Sequence, residues 1–103
     1  MNTFKELTPA RQQLVRLMQK VNYGEIRQLS VKSGEPVMDP PPTIVRAVKF
    51  GGDNGARGEA AISDFELKSQ VKQLLAELDA LPSGEFERIE VKGGLPFMAV
   101  IKG

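Results

Sequence analysis

Residues 24–38 read GEIRQLSVKSGEPVM, and residues 84–98 read GEFERIEVKGGLPFM. Seven of the fifteen positions are identical at a constant offset of 60, where average residue usage would give about one. Three further pairs are apolar in both: Ile26 with Phe86, Leu29 with Ile89, and Val37 with Phe97. The offset holds upstream, where Gln13-Leu14 meets Gln73-Leu74, Val15 meets Leu75, Met18 meets Leu78 and Val21 meets Leu81. A chain of 103 residues has room for one modest core, not two. The sequence therefore predicts a single domain over 1–103, with internal repeats at about 8–38 and 63–98 that share one core.

Each copy opens with a helical period. In the first, Thr8 is a candidate N-cap and Pro9 suits the first helical position, where a missing N–H costs nothing. Leu14, Leu17, Met18 and Val21 follow at helical spacing. In the second, Ser63 and Glu66 have capping-box spacing, and Leu67, Val71, Leu74, Leu75, Leu78 and Leu81 form the apolar stripe. Pro82 stops that helix, and Gly24 and Gly84 are expected to open the two exits.

The period then changes to two. Leu29 and Val31, like Ile89 and Val91, alternate with polar neighbours as half-buried strands do. Ile26 and Phe86 stand one residue out of phase, which predicts either a bulge near Arg27-Gln28 and Glu87-Arg88 or strands that start later. Ser33-Gly34 and Gly93-Gly94 are two-residue hairpin turns. Pro36 and Pro96 follow just beyond the turns, where a strand tolerates the lost donor, most easily on an edge. Beyond this point the copies part. The second continues as LPFMAVIKG, with Phe97, Ala99 and Ile101 expected on one face. The first is interrupted by DPPP at 39–42 and resumes as TIVRAVKF, an extra or displaced strand. Residues 51–61, GGDNGARGEAA, are expected to be a flexible connector.

The expected fold is α+β. Two tandem α-β-β repeats, related by a pseudo-twofold, would build an antiparallel sheet of four or five strands with both helices on one face.

Composition narrows the chemistry. The sequence has no cysteine and no histidine, which removes disulfides, thiolates and the usual general base and metal ligand. No cofactor fingerprint, metal constellation or nucleophile–base pairing is present, so the expectation is a protein that is not an enzyme and uses no cofactor. No apolar run is long enough to span a membrane, and no leader-like stretch opens the chain, so a cytoplasmic location without membrane association is expected.

Charge is uneven. Residues 1–50 hold eight Lys or Arg against four acids, and residues 51–103 hold six against nine. Arg11, Arg16, Lys20, Arg27 and Lys32 are the candidate contacts to nucleic acid or another partner; as the solvated side of a helix and a strand they serve equally well. GGDNGARG at 51–58 has the glycines, and in Arg57 the cation, of an anion cradle, yet it lacks the ending of a P-loop. Glu85, Glu87 and Glu90 crowd one strand as edge charges would.

Two resemblances follow from these residues. Leu7, Thr8, Arg11, Gln12, Gln13 and Leu17 resemble the opening helix of LexA-type and LuxR-type helix-turn-helix repressors, which implies DNA binding. Such domains continue into a second helix, whereas a strand pattern begins here at Gly24. Tyr23-Gly24, Val31, Gly34, Pro36 and Val37, and again Gly84, Val91, Gly94, Pro96 and Phe97, resemble a group of small uncharacterised bacterial proteins, which implies the αββ unit and no activity. The functional expectation is a small binding or regulatory module with a protein partner or a second copy of itself. A nucleic-acid-binding transcriptional regulator is the alternative.

Overall fold

The computed structural model describes residues 3–48, 50 and 64–102. The expected connector at 51–61, its anion-cradle reading and the Ser63 cap lie outside the described residues.

Helix α1 spans Pro9–Val21. Thr8 caps it, its hydroxyl oxygen accepting the Arg11 amide at 3.3 Å, and Pro9 takes the first turn. The exit differs from expectation. Asn22, at φ 63° and ψ −60°, has a positive φ outside the αL region, close to the geometry of a γ-turn, and donates its amide to the Met18 carbonyl. Strand β1, Tyr23–Lys32, starts at once and holds Gly24 inside it.

Turn Ser33-Gly34 leads to β2, Glu35–Pro36. Strand β3, Thr43–Arg46, follows the proline stretch. Helix α2 spans Ser69–Ala80, then come β4, Ser83–Lys92, and β5, Leu95–Lys102. Both hairpin turns have positive φ at their two central residues, 55° and 74° in one and 62° and 77° in the other, as the twist of paired strands prefers.

Helix α2 begins five residues later than the Ser63 cap implied, with Lys68 at its N-cap. Residues before it are tied to the N-terminal segment instead. The Phe4 amide donates to the Phe65 carbonyl at 2.9 Å, the Lys5 amide to Asp64 at 2.9 Å, and Thr3 bridges to Glu66. The rings of Phe4 and Phe65 stack at 5.0 Å. Leu67 still reaches the core, but from an extended segment. The capping box forms at Thr3 and Glu6, around a short turn at Phe4–Glu6.

The five strands make one antiparallel sheet in the order β2-β1-β4-β5, with β3 also on the outer side of β1. Strand β2 covers one end of β1 and β3 the other, Ile26 lying opposite Ile44. In the second unit Phe86 lies opposite Ile101, so an uninterrupted first unit would have put Pro41 opposite Ile26. The detour through residues 39–42 removes those prolines from the ladder and lets Thr43–Arg46 pair in their place.

The central β1–β4 pairing maps onto itself under the 60-residue offset. Tyr23 pairs with Lys92 and Lys32 with Ser83; Gly24 pairs with Val91 and Val31 with Gly84; Ile26 pairs with Ile89 and Leu29 with Phe86. Pairing lapses at Gln28 and Glu87, and Gln28 has φ 58°. That irregularity brings Ile26 and Leu29, three residues apart, to the same face.

Both helices cover that face. Leu14, Val15, Met18 and Val21 of α1 and Val71, Leu74, Leu75 and Leu78 of α2 join Ile26, Leu29, Val31, Phe86, Ile89 and Val91 in one core. Each fully buried large side chain contributes about 1.5–3 kcal/mol of transfer free energy, and the two αββ units share this one core.

Candidate interaction surface

Arg11 sits inside the structure. Its side chain is 8% exposed and donates to Glu35 at 2.9 Å, to Asp79 at 2.7 Å and to the Gly34 carbonyl at 2.9 Å. One guanidinium thus joins α1, the first hairpin and α2, using the planar fork that makes Arg suited to such a site. Arg16 lies over the Phe4 ring at 4.2 Å and donates to Gln19 at 3.0 Å, clamping the N-terminal segment to α1. Lys20 is exposed beside Met38 and Pro41. Arg27 is on the opposite face of the sheet, paired with Glu25 at 2.7 Å, and Lys32 is exposed at the end of β1. The five candidate cations therefore do not converge: one is interior, one is a clamp, and the others divide between the two sides of the sheet.

The face that the helices leave open is a charge mosaic. Glu25 lies opposite Glu90, and Arg27 opposite Arg88. Like charges directly opposite are unfavourable, and each Arg instead pairs along its own strand, Arg27 with Glu25 and Arg88 with Glu90 at 3.7 Å. No apolar patch crosses this face between those rows.

Exposed apolar side chains lie at both edges of the sheet: Ile44, Val45, Val48 and Phe50 on and just after β3, and Phe97, Met98 and Ile101 on β5. Ala99 and Ile101 lie opposite the core residues Ile89 and Phe86, while Met98 and Val100 lie opposite Glu90 and Arg88 on the open face. Phe97 borders the same groove as Ala99 and Ile101. The register shifts between Pro96 and Met98, leaving Phe97 without a partner on β4. It is 62% exposed, with the Lys92 ammonium 3.9 Å over its ring. Met98 is 44% exposed and Ile101 37%.

Alongside runs an open groove of about 250 Å³ between β5 and α2. Leu74, Ala99 and Ile101 supply apolar lining, and Gln70, Gln73 and Glu77 of α2 supply polar lining. These three are the solvent-side residues of α2, at spacings that place them on one wall. Nothing pairs with the outer side of β5 among the described residues.

The other edge of the sheet is broken up. It consists of a two-residue strand with Pro36, the stretch Pro40–Pro42, and a four-residue strand. Short edge strands and prolines are the usual protection against strand addition. One edge of the sheet is thus guarded and the other presents eight continuous residues.

No protein-family model matches the chain, and neither the curated proteins nor the solved structures contain a match to it. Sequence reasoning placed an edge strand at the C-terminus without singling out its outer side as the surface. The signal was LPFMAVI itself, seven residues without a charge in which apolar side chains fall on both faces.

Proposed function

We propose that the protein is a small, non-enzymatic binding module that acts through the outer edge of β5, taking up an extended polypeptide segment by strand addition. The observation that carries this reading is the contrast between the two sheet edges. The guarded edge contains the proline detour, whereas the open one is long and uncharged from Leu95 to Ile101; grooves with apolar lining lie beside both. Main-chain pairing would supply affinity, and the groove along Leu74, Ala99 and Ile101 would select the side chains facing α2. The absence of His and Cys from the sequence favours binding over catalysis. The self-mapping register of β1 and β4 supports descent from a duplicated αββ unit whose second copy kept its edge strand unbroken.

Nucleic-acid recognition is the second reading, and the division of Arg11, Arg16, Lys20, Arg27 and Lys32 among separate surroundings weighs against it. A displayed library of extended seven- to ten-residue peptides tests the first reading. Binders are expected for the native chain and for Val45→Lys on the guarded edge, and are expected to be lost with Met98→Lys. Absence of binders, together with tight, salt-sensitive binding to duplex DNA, would overturn it.

A further inference from the structure

We infer that the segment taken up by β5 is β5 of a second copy, in an antiparallel twofold pair centred on Ala99. This rests on the proposed use of the β5 edge and names its occupant. The strand is compatible with itself. With Ala99 opposite Ala99, Met98 lies opposite Val100 and Phe97 opposite Ile101, so the small side chain falls on the axis where the copies approach closest. No charge meets a like charge, because Leu95–Ile101 carries none. The ladder is also bounded by the sequence. Lys102 falls opposite Pro96, which has no N–H to donate, so pairing ends where the charges begin.

Stoichiometry follows from the other edge. A sheet with two open edges can add copies head to tail without limit, whereas an isologous contact closes at two. Here the residues 36–46 edge is interrupted by Pro36 and Pro40–Pro42, so among the described residues β5 has only another β5 as an unguarded counterpart. The result is a closed dimer with a continuous sheet. The exposed Phe97, Met98 and Ile101 become interface residues.

The sequence has no cysteine, so Ala99→Cys gives a single-thiol probe on the predicted axis. Directly opposite residues bring their Cβ atoms to about 4.5–5.5 Å, close enough for a disulfide after slight adjustment. Light scattering over a concentration series is expected to give twice the chain mass for the native protein, with Ala99→Cys cross-linking under mild oxidation and Val45→Cys on β3 failing to do so. Met98→Lys, at a position exposed in the single chain, is expected to weaken association at least tenfold while leaving the circular dichroism of the chain unchanged. A native monomer throughout, or a dimer that cross-links through Val45→Cys instead of Ala99→Cys, would overturn the inference. The two claims separate cleanly. A native monomer that still takes up library peptides and loses them with Met98→Lys sinks the dimer and keeps the strand-adding edge; a native monomer that takes up none sinks both.

Discussion

The amide of Gly94 donates to the carbonyl of Asn22 at 2.9 Å, and at the equivalent place the amide of Gly34 donates to the carbonyl of Pro82 at 3.3 Å. Each hairpin turn therefore closes on the short link between the helix and the strand of the other unit. With the shared core, this makes the units mutually dependent, so they are expected to unfold together. Urea unfolding followed by far-ultraviolet circular dichroism and by Tyr23 fluorescence should give coincident transitions. A populated intermediate with one unit intact would contradict this coupling.

Arg11 joins three elements through groups of unequal exposure. Its own side chain is 8% exposed, Glu35 is 34% exposed and Asp79 68%. Arg11→Met removes the buried guanidinium but leaves both carboxylates able to reach water, so the loss is expected near 2 kcal/mol rather than the larger value for a fully buried pair. Asp79→Asn should cost under about 1 kcal/mol. Denaturant midpoints on the two variants decide the order.

Gly24 and Gly84 occupy equivalent places in β1 and β4 and are expected to respond differently. Gly24 has φ 151°, and a Cβ there would stand 2.1 Å from the Val45 carbonyl oxygen. Gly84 is not among the positive-φ residues. Gly24→Ala should cost about 3 kcal/mol or more, or displace β3, because the obstruction is backbone. Gly84→Ala should stay within about 1 kcal/mol. Equal losses would show that β3 does not set the requirement.

The rows Glu25–Glu90 and Arg27–Arg88 place like charges across the centre of the sheet. Exchanging one strand's pair, Arg88→Glu with Glu90→Arg, keeps the pair within the strand and makes both cross-strand neighbours opposite in sign. The double variant is expected to gain about 0.5–1 kcal/mol at low ionic strength, a gain that shrinks as salt rises. Thermal unfolding at two salt concentrations measures both.

Much of this fold was legible because two periodicities were written twice. The stripe from Leu14 to Val21 and the alternation around Leu29 and Val31 identified elements whose neighbours in the sequence determine their form. The phase slip at Ile26 and Phe86 even located the irregularity at Gln28 and Glu87. What escaped depended on contacts between distant residues. The segment before α2 stays extended because Thr3, Phe4 and Lys5, some sixty positions away, bind Asp64, Phe65 and Glu66. Arg11 reads as a solvated cation on a helix, and only the meeting of Glu35, Gly34 and Asp79 makes it an interior tie. Phe97 follows the alternation in sequence, but the register shift beside it leaves it without a partner on β4.

The central claim is that the outer edge of β5 is the working surface of the protein, and residue-resolved amide exchange across a protein concentration series tests it most directly. Amides within residues 97–101 are expected to gain protection as concentration rises, those of 43–46 on the guarded edge to stay unchanged, and Met98→Lys to abolish the gain. Protection that rises at 43–46 while 97–101 remains indifferent would contradict the account.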